Sequence, residues 1–446
     1  MSPSVVQVVH CIDTEGPLHE PLAATFQRLE SIYGLSFEPK RETLLRLQRR
    51  EIPLDGLEDE VARTFSPQNL GYNDGWDSID AMLAEMMSPG FRQAEPDSFG
   101  GGWVYNWFCL DHVGFTANPR RRDMGFHNIR DHYRQAMLDS GSGRDGLHFH
   151  HHPLAFSREA NRCATHFFSH TPIIFEILAR CVIERRWFPC AYRPGFHVIR
   201  PDSAWFLEQY IPFDFSNQST DEDYSRQRDL AAGRFGDWRR APRSWTPYHP
   251  DHDDYQSPGN CRRWTARCLN VGTRLRLMTQ ADVDLAFREA AEGKPVVLAF
   301  TNHDFRDMRP DVALVRSMLA DAAARYPGVR YRFAEARDAM RSALDLPVKS
   351  PLTFEMRREG SRLSITSSGR LFGPQPFLAL ATRDRRFLHD NLDIQRPFHE
   401  WSYVLDEDTM VSEALASIGV AGCDETGNVT VAVMNPADGK VEIVHH

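Results

Sequence analysis

Through its first three-quarters the chain alternates short apolar runs with amphipathic stretches, and few architectures accept that pattern. Residues 5–12, apolar except for Gln7 and His10, read as a strand, and residues 40–50 as a helix. Residues 103–110 and 146–151 read as strands, with a helix over 128–139 between them and another over 172–186 after them. Residues 191–197 are extended. The clearest helix spans 279–292: Thr279 with Asp282 resembles a capping box, Ala286 and Ala290 share a face, and Gly293 suits the stop. A buried strand over 295–300 follows, then helices over 311–325 and 334–344. Repeated strand–helix units imply a parallel sheet, and at this length a closed or nearly closed β/α barrel.

Two stretches interrupt the alternation. Residues 216–272 read as one long excursion, a lid or binding loop, whose Trp238, Trp245, Tyr248 and Trp264 either stack on a ligand or pack the loop itself. From residue 348 onward helices stop, and 352–357, 361–367, 376–381 and 429–434 alternate with period two. The expected division is an α/β barrel domain over 1–347 and a small β-rich domain over 348–446.

Composition narrows the partners. A net charge of −9 lacks the basic footprint that a nucleic-acid partner needs. No window approaches the roughly 18 apolar residues of a membrane span, and no secretory leader is evident. Eight cysteines in 446 residues form no disulfide framework. Buried thiols in a reducing, cytoplasmic setting are expected, with no membrane anchor.

Several polar clusters fall at or just after the ends of expected strands, where barrel enzymes place their chemistry. They are Asp13-Thr14-Glu15, the run His148-Phe149-His150-His151-His152-Pro153, Tyr192-Arg193-Pro194-Gly195, and His303-Asp304. Carboxylates and imidazoles meeting in one pocket make a divalent-metal site, and an open site of that kind hydrolyses bonds. On an extended strand His148 and His152 lie roughly 13 Å apart, so they share an ion only where the chain curls, as Pro153 permits. The alternative is a pair formed by His148 and His150 on one strand face. Arg193 suits a carboxylate clamp, and His303 beside Asp304 suits general-acid work near neutral pH.

The order of acidic turn, HxxxHP, Arg-Pro and late strand-end histidine resembles the polysaccharide deacetylase superfamily (NodB homology, carbohydrate esterase family 4). The likeness spreads over residues 5–340 and is nearest to a bacterial branch associated with lipopolysaccharide biosynthesis, the WbmS-like proteins. It implies a distorted NodB-like β/α barrel. It also implies Asp13 as base, Glu15, His148 and His152 as metal ligands, Arg193 holding the base, His303 as acid, and a small-molecule or glycan-precursor substrate; Asp304, as the neighbour of His303, is expected to steer that imidazole's tautomer. The chain departs from the pattern in its Asp-x-Glu acidic motif, in Phe149 and in the missing Arg-Pro spacer. No clear fourth motif is present, Asp214 and Trp238 being the nearest candidates. The expected cofactor is a divalent metal, Zn²⁺ by ligand type, with Fe, Co or Ni compatible. The expected reaction removes an acetyl or formyl group from an amino-sugar precursor of a surface glycan. Alternatives are C–N hydrolysis of a non-sugar amide or cyclic ureide, and a non-catalytic carbohydrate-binding protein on a retained barrel.

Overall fold

A computed structural model of the chain describes residues 4–111, 125–153, 155, 166, 173–221 and 235–446. Seven parallel strands close a barrel: β1 (Ser4–Thr14), β2 (Tyr105–Leu110), β3 (Gly146–His151), β4 (Ala191–Pro194), β5 (Phe213–Asn217), β6 (Trp264–Asn270) and β7 (Val296–His303). β7 returns to pair with β1. An eighth strand, β8 (Val329–Phe333), joins the outside. The eleven residues of β1 make both arrangements possible. On one edge its lower half, Ser4 to Val8, pairs with β8, while its upper half, His10 to Thr14, pairs with β2.

β1 is buried on both faces and so reads as a continuous apolar run rather than an alternating one. Val9 and Cys11 point inward with Phe108, Ala191, Phe213, Phe215, Ala266, Cys268, Val297 and Ala299. Helix Ala336–Ala343 plugs the floor of the barrel with Ala336, Ala339 and Met340. Val6, Val8 and Ile12 point outward, in one core with residues of helices Trp76–Met86, Asn128–Asp139, Gln280–Ala291 and Arg309–Arg325.

The excursion expected over 216–272 is shorter than its composition suggests, because β6 lies inside it. Among the described residues its aromatic side chains pack the loop. Trp238 donates to the His197 carbonyl at 2.8 Å and Trp245 to that of Asp282 at 2.8 Å, while Tyr248 donates to the Tyr255 carbonyl at 2.9 Å. Trp264 lies against the His249 ring.

Beyond the barrel stand two antiparallel sheets. One holds β9 (Phe354–Glu359), β10 (Arg362–Ser367), β13 (Asp393–Arg396) and β14 (Glu400–Val404). The other holds β11 (Phe377–Thr382), β12 (Phe387–Asp390), β15 (Leu415–Cys423), β16 (Val429–Met434) and β17 (Val441–His445). Leu363, Ile365, Trp401, Leu378, Leu380, Ile418 and Val420 form the core that the two sheets share. The alternate residues Phe377, Ala379 and Ala421 face helix Ile173–Arg185 instead. That helix is apolar nearly all round because it is covered by barrel and tail together. Its approach is so close that a Cβ at Gly419 would stand 2.6 Å from Val182 Cγ1.

Two expectations follow. Gly419→Val should lower unfolding free energy by about 1–3 kcal/mol through overpacking; an unchanged urea midpoint would mean the helix and tail are not docked as described. Burial holds His10 and His389 down to about 4. The unfolded chain therefore binds protons that the folded chain refuses between pH 6.5 and 4, and stability should fall as pH drops through that window. His389 is stacked against both Phe175 and Phe377, so His389→Phe should flatten the dependence; a parallel slope in the variant contradicts the assignment.

Candidate metal and acid–base site

The barrel register sets the height of each polar side chain. Asp13 on β1 is level with His303 on β7, and His150 on β3 with Arg193 on β4. All four sit at the C-terminal ends of their strands, and Glu15 follows one residue beyond β1.

Arg193 is fully buried and reaches Asp13 with two parallel bonds, Nε to Oδ1 at 2.6 Å and Nη2 to Oδ2 at 3.0 Å. Its Nη1 donates to the Phe215 carbonyl at 2.7 Å, which fixes the guanidinium plane. Burial alone would raise the Asp13 carboxyl, yet Arg193, followed by His150 and His303, holds it well below the usual carboxylate range. Asp13 is therefore an ionised carboxylate in a nearly dry site.

The histidines that meet Glu15 are His150 and His152. His150 Nδ1 donates to the Arg193 carbonyl at 3.0 Å, which leaves Nε2 free of its proton. That Nε2 lies 2.9 Å from His152 Nε2, and Glu15 Oε1 is 3.8 Å and 3.4 Å from the two. His152 can fold back because β3 ends at His151 and because Gly195 has no side chain. A Cβ at Gly195 would stand 2.3 Å from the His152 ring. Gly195 is a site residue that its function-bearing neighbours Arg193 and Pro194 signal in the sequence.

His148 is a correction. It faces inward like His150 but two residues lower, level with Phe108, or roughly 7 Å down the barrel. There it lies 3.0 Å from Glu335 Oε1 and 3.3 Å from Asn106 Oδ1, and it packs on the Phe108 ring. The candidate donors that the structure brings together are thus Glu15, His150 and His152, not Glu15, His148 and His152.

Asp304 also has a different role from the one expected. Its fully buried carboxylate accepts from the Glu15 and Gly16 backbone N–H groups at 2.9 Å and 2.8 Å, and from the Tyr133 hydroxyl at 2.9 Å. It positions the turn carrying Glu15 rather than orienting His303. Gly16 takes φ +71 there, under the Trp76 ring. His303 Nε2 lies 3.8 Å from both Asp13 Oδ2 and Glu15 Oε1, and burial pushes its imidazole down to about 4 against the pull of those carboxylates. Of the fourth-motif candidates, Asp214 lies off the inward face of β5, which carries Phe213 and Phe215, and receives the Thr265 hydroxyl at 3.4 Å. Trp238 donates to the carbonyl of His197, whose Nδ1 is 3.4 Å from Arg193 Nη2.

One carboxylate and two imidazoles, with ligand atoms all within 4.8 Å of one another, are a donor set that can hold a divalent ion. No protein-family model matches the chain, and no curated protein matches it significantly.

Asp304→Asn puts an amide N–H against one of three donors. It should cost roughly 1–3 kcal/mol of stability and weaken metal retention by about 10–100-fold. Unchanged urea unfolding and unchanged metal affinity would remove Asp304 from the positioning role.

Proposed function

We propose that this chain is a metal-dependent N-deacylase of the polysaccharide deacetylase superfamily, releasing acetate or formate from an amino-sugar precursor of a surface glycan. One observation carries the reading: Glu15, His150 and His152 converge beside an Asp13 locked by Arg193, with His303 across from both carboxylates. The order of these residues along the chain supplies the substrate class.

Glu15, His150 and His152 would hold the ion, expected to be Zn²⁺, which supplies Lewis acidity and a more acidic water. The remaining work falls to the chain. Asp13 accepts the proton of the attacking water, and Arg193 keeps that carboxylate ionised and aimed. His303 is neutral at pH 7 when burial holds it near 4. It serves as the acid after receiving that proton from Asp13, whose Oδ2 lies 3.8 Å from its Nε2. The Nε2 proton then goes to the leaving amine as the C–N bond breaks, giving a free acid and a free amine.

The test combines metal analysis with acid release from a panel of N-acetyl and N-formyl amino sugars, free and nucleotide-linked. His150→Ala should lose bound metal, while His148→Ala keeps it and loses stability instead. Asp13→Asn should keep the metal and lose about 10²–10⁴-fold in turnover. A metal-loaded protein that releases no acid from any member of the panel overturns the reading.

A further inference from the structure

A second cluster of metal-ligating side chains lies outside the site described above. Asp111 directly follows β2, His127 directly precedes helix Asn128–Asp139, and Cys181 sits within helix Ile173–Arg185. All three are buried, and their carboxylate, imidazole and thiol atoms lie within 4.8 Å of one another.

The His127 imidazole is set as a ligand is set. Its Nε2 is 2.7 Å from Glu184 Oε2, a carboxylate three residues beyond Cys181 on the same helix. Its Nδ1 is buried without a hydrogen-bond partner among the described residues. A carboxylate on one imidazole nitrogen with the other left bare is the arrangement that surrounds metal-bound histidines. His127 also takes the left-handed conformation, φ +69, while its backbone N–H donates to Asp111 Oδ1 at 3.2 Å. A non-glycine residue held there stores strain, and such strain gathers at functional sites.

Charge is the obvious objection, because Arg130 Nη2 already donates to Asp111 Oδ2 at 2.7 Å. A bound cation would nonetheless meet anionic donors of its own. Asp111 and a Cys181 thiolate would bring two negative charges to a divalent ion, while Arg130 shares Asp111 and Arg180 Nη1 lies 3.6 Å from Glu184 Oε1. With no ion bound, His127 Nδ1 is left without a hydrogen-bond partner among the described residues. Buried polar atoms without partners are rare in folded proteins.

We propose that Asp111, His127 and Cys181 form a second divalent-metal site, thiolate-containing and structural, with solvent in the fourth position. Binding requires the donors to close by roughly 1 Å, given bond lengths near 2.0–2.3 Å for nitrogen, oxygen and sulfur on zinc. Cys181 gives up its thiol proton to solvent on binding, and nothing is oxidised or reduced. The ion would tie the end of β2 to two helices, one of which carries the Tyr133 that bonds to Asp304. This inference does not rest on the deacylase reading.

The test is spectroscopic and needs no substrate. Apo protein titrated with Co²⁺ should bind two ions per chain and develop a thiolate-to-cobalt charge-transfer absorption in the near ultraviolet. Glu15, His150 and His152 cannot produce that band, because they offer only oxygen and nitrogen. Cys181→Ser should abolish the band and leave one ion. His127→Gln, which keeps a polar side chain before the helix, should do the same if the serine variant fails to fold. A wild-type titration that stops at one ion with no charge-transfer band, or a band that survives both substitutions, overturns the proposal.

Discussion

The bidentate pair between Arg193 and Asp13 spans the barrel interior from β4 to β1, and the site is arranged around it. Both partners are almost completely buried, so removing either would leave an uncompensated charge, a loss of about 3–5 kcal/mol in comparable cases. The pair keeps Asp13 ionised in surroundings that would otherwise protonate it. Through its carbonyl Arg193 also selects the His150 tautomer. One residue thus keeps a carboxylate ionised and orients an imidazole, on two different strands.

Around that pair the turns are held by groups outside the cluster of Glu15, His150 and His152. Asp304 grips the backbone of Glu15 and Gly16, Tyr133 supports Asp304, and Asn73 bonds the Asp304 and Arg306 carbonyls. Gly195 leaves the space into which His152 turns. These contacts convert strand ends, which are well ordered in a closed barrel, into equally fixed turns. Side chains that must share an ion need that rigidity, since a ligand displaced by an ångström loses its bond.

Much of this was legible in the residues. The strand–helix alternation foretold a barrel, and the polar clusters at expected strand ends do gather at its C-terminal rim. The period-two tail became a pair of antiparallel sheets. The pairing of histidines was not legible, because residues 148, 150 and 152 share one parity along the strand. Which of them reaches Glu15 depends on barrel register and on where β3 stops, both tertiary properties. Asp304 was misjudged for a related reason: its neighbour His303 suggested a dyad, whereas the peptide direction at the end of β7 turns its carboxylate toward β1. Strands β5, β6 and β8 went unread because Phe-Asp-Phe-Ser-Asn, Trp-Thr-Ala-Arg-Cys-Leu-Asn and Val-Arg-Tyr-Arg-Phe carry too much polarity for a buried-strand signal. Part of that polarity is paired inside the fold, as where Arg267 Nε donates to the Ser219 carbonyl and Nη2 to Asp282.

The account stands on Glu15, His150 and His152 gripping one cation at the barrel mouth. Diffraction data collected on either side of the zinc absorption edge from metal-loaded crystals test that claim directly. The account requires an anomalous peak within bonding distance of Glu15 Oε1 and of the Nε2 atoms of His150 and His152, with Asp13 and His303 facing it. A peak bound instead by His148 and Glu335 at the barrel floor, or no density among the three named side chains, would contradict it.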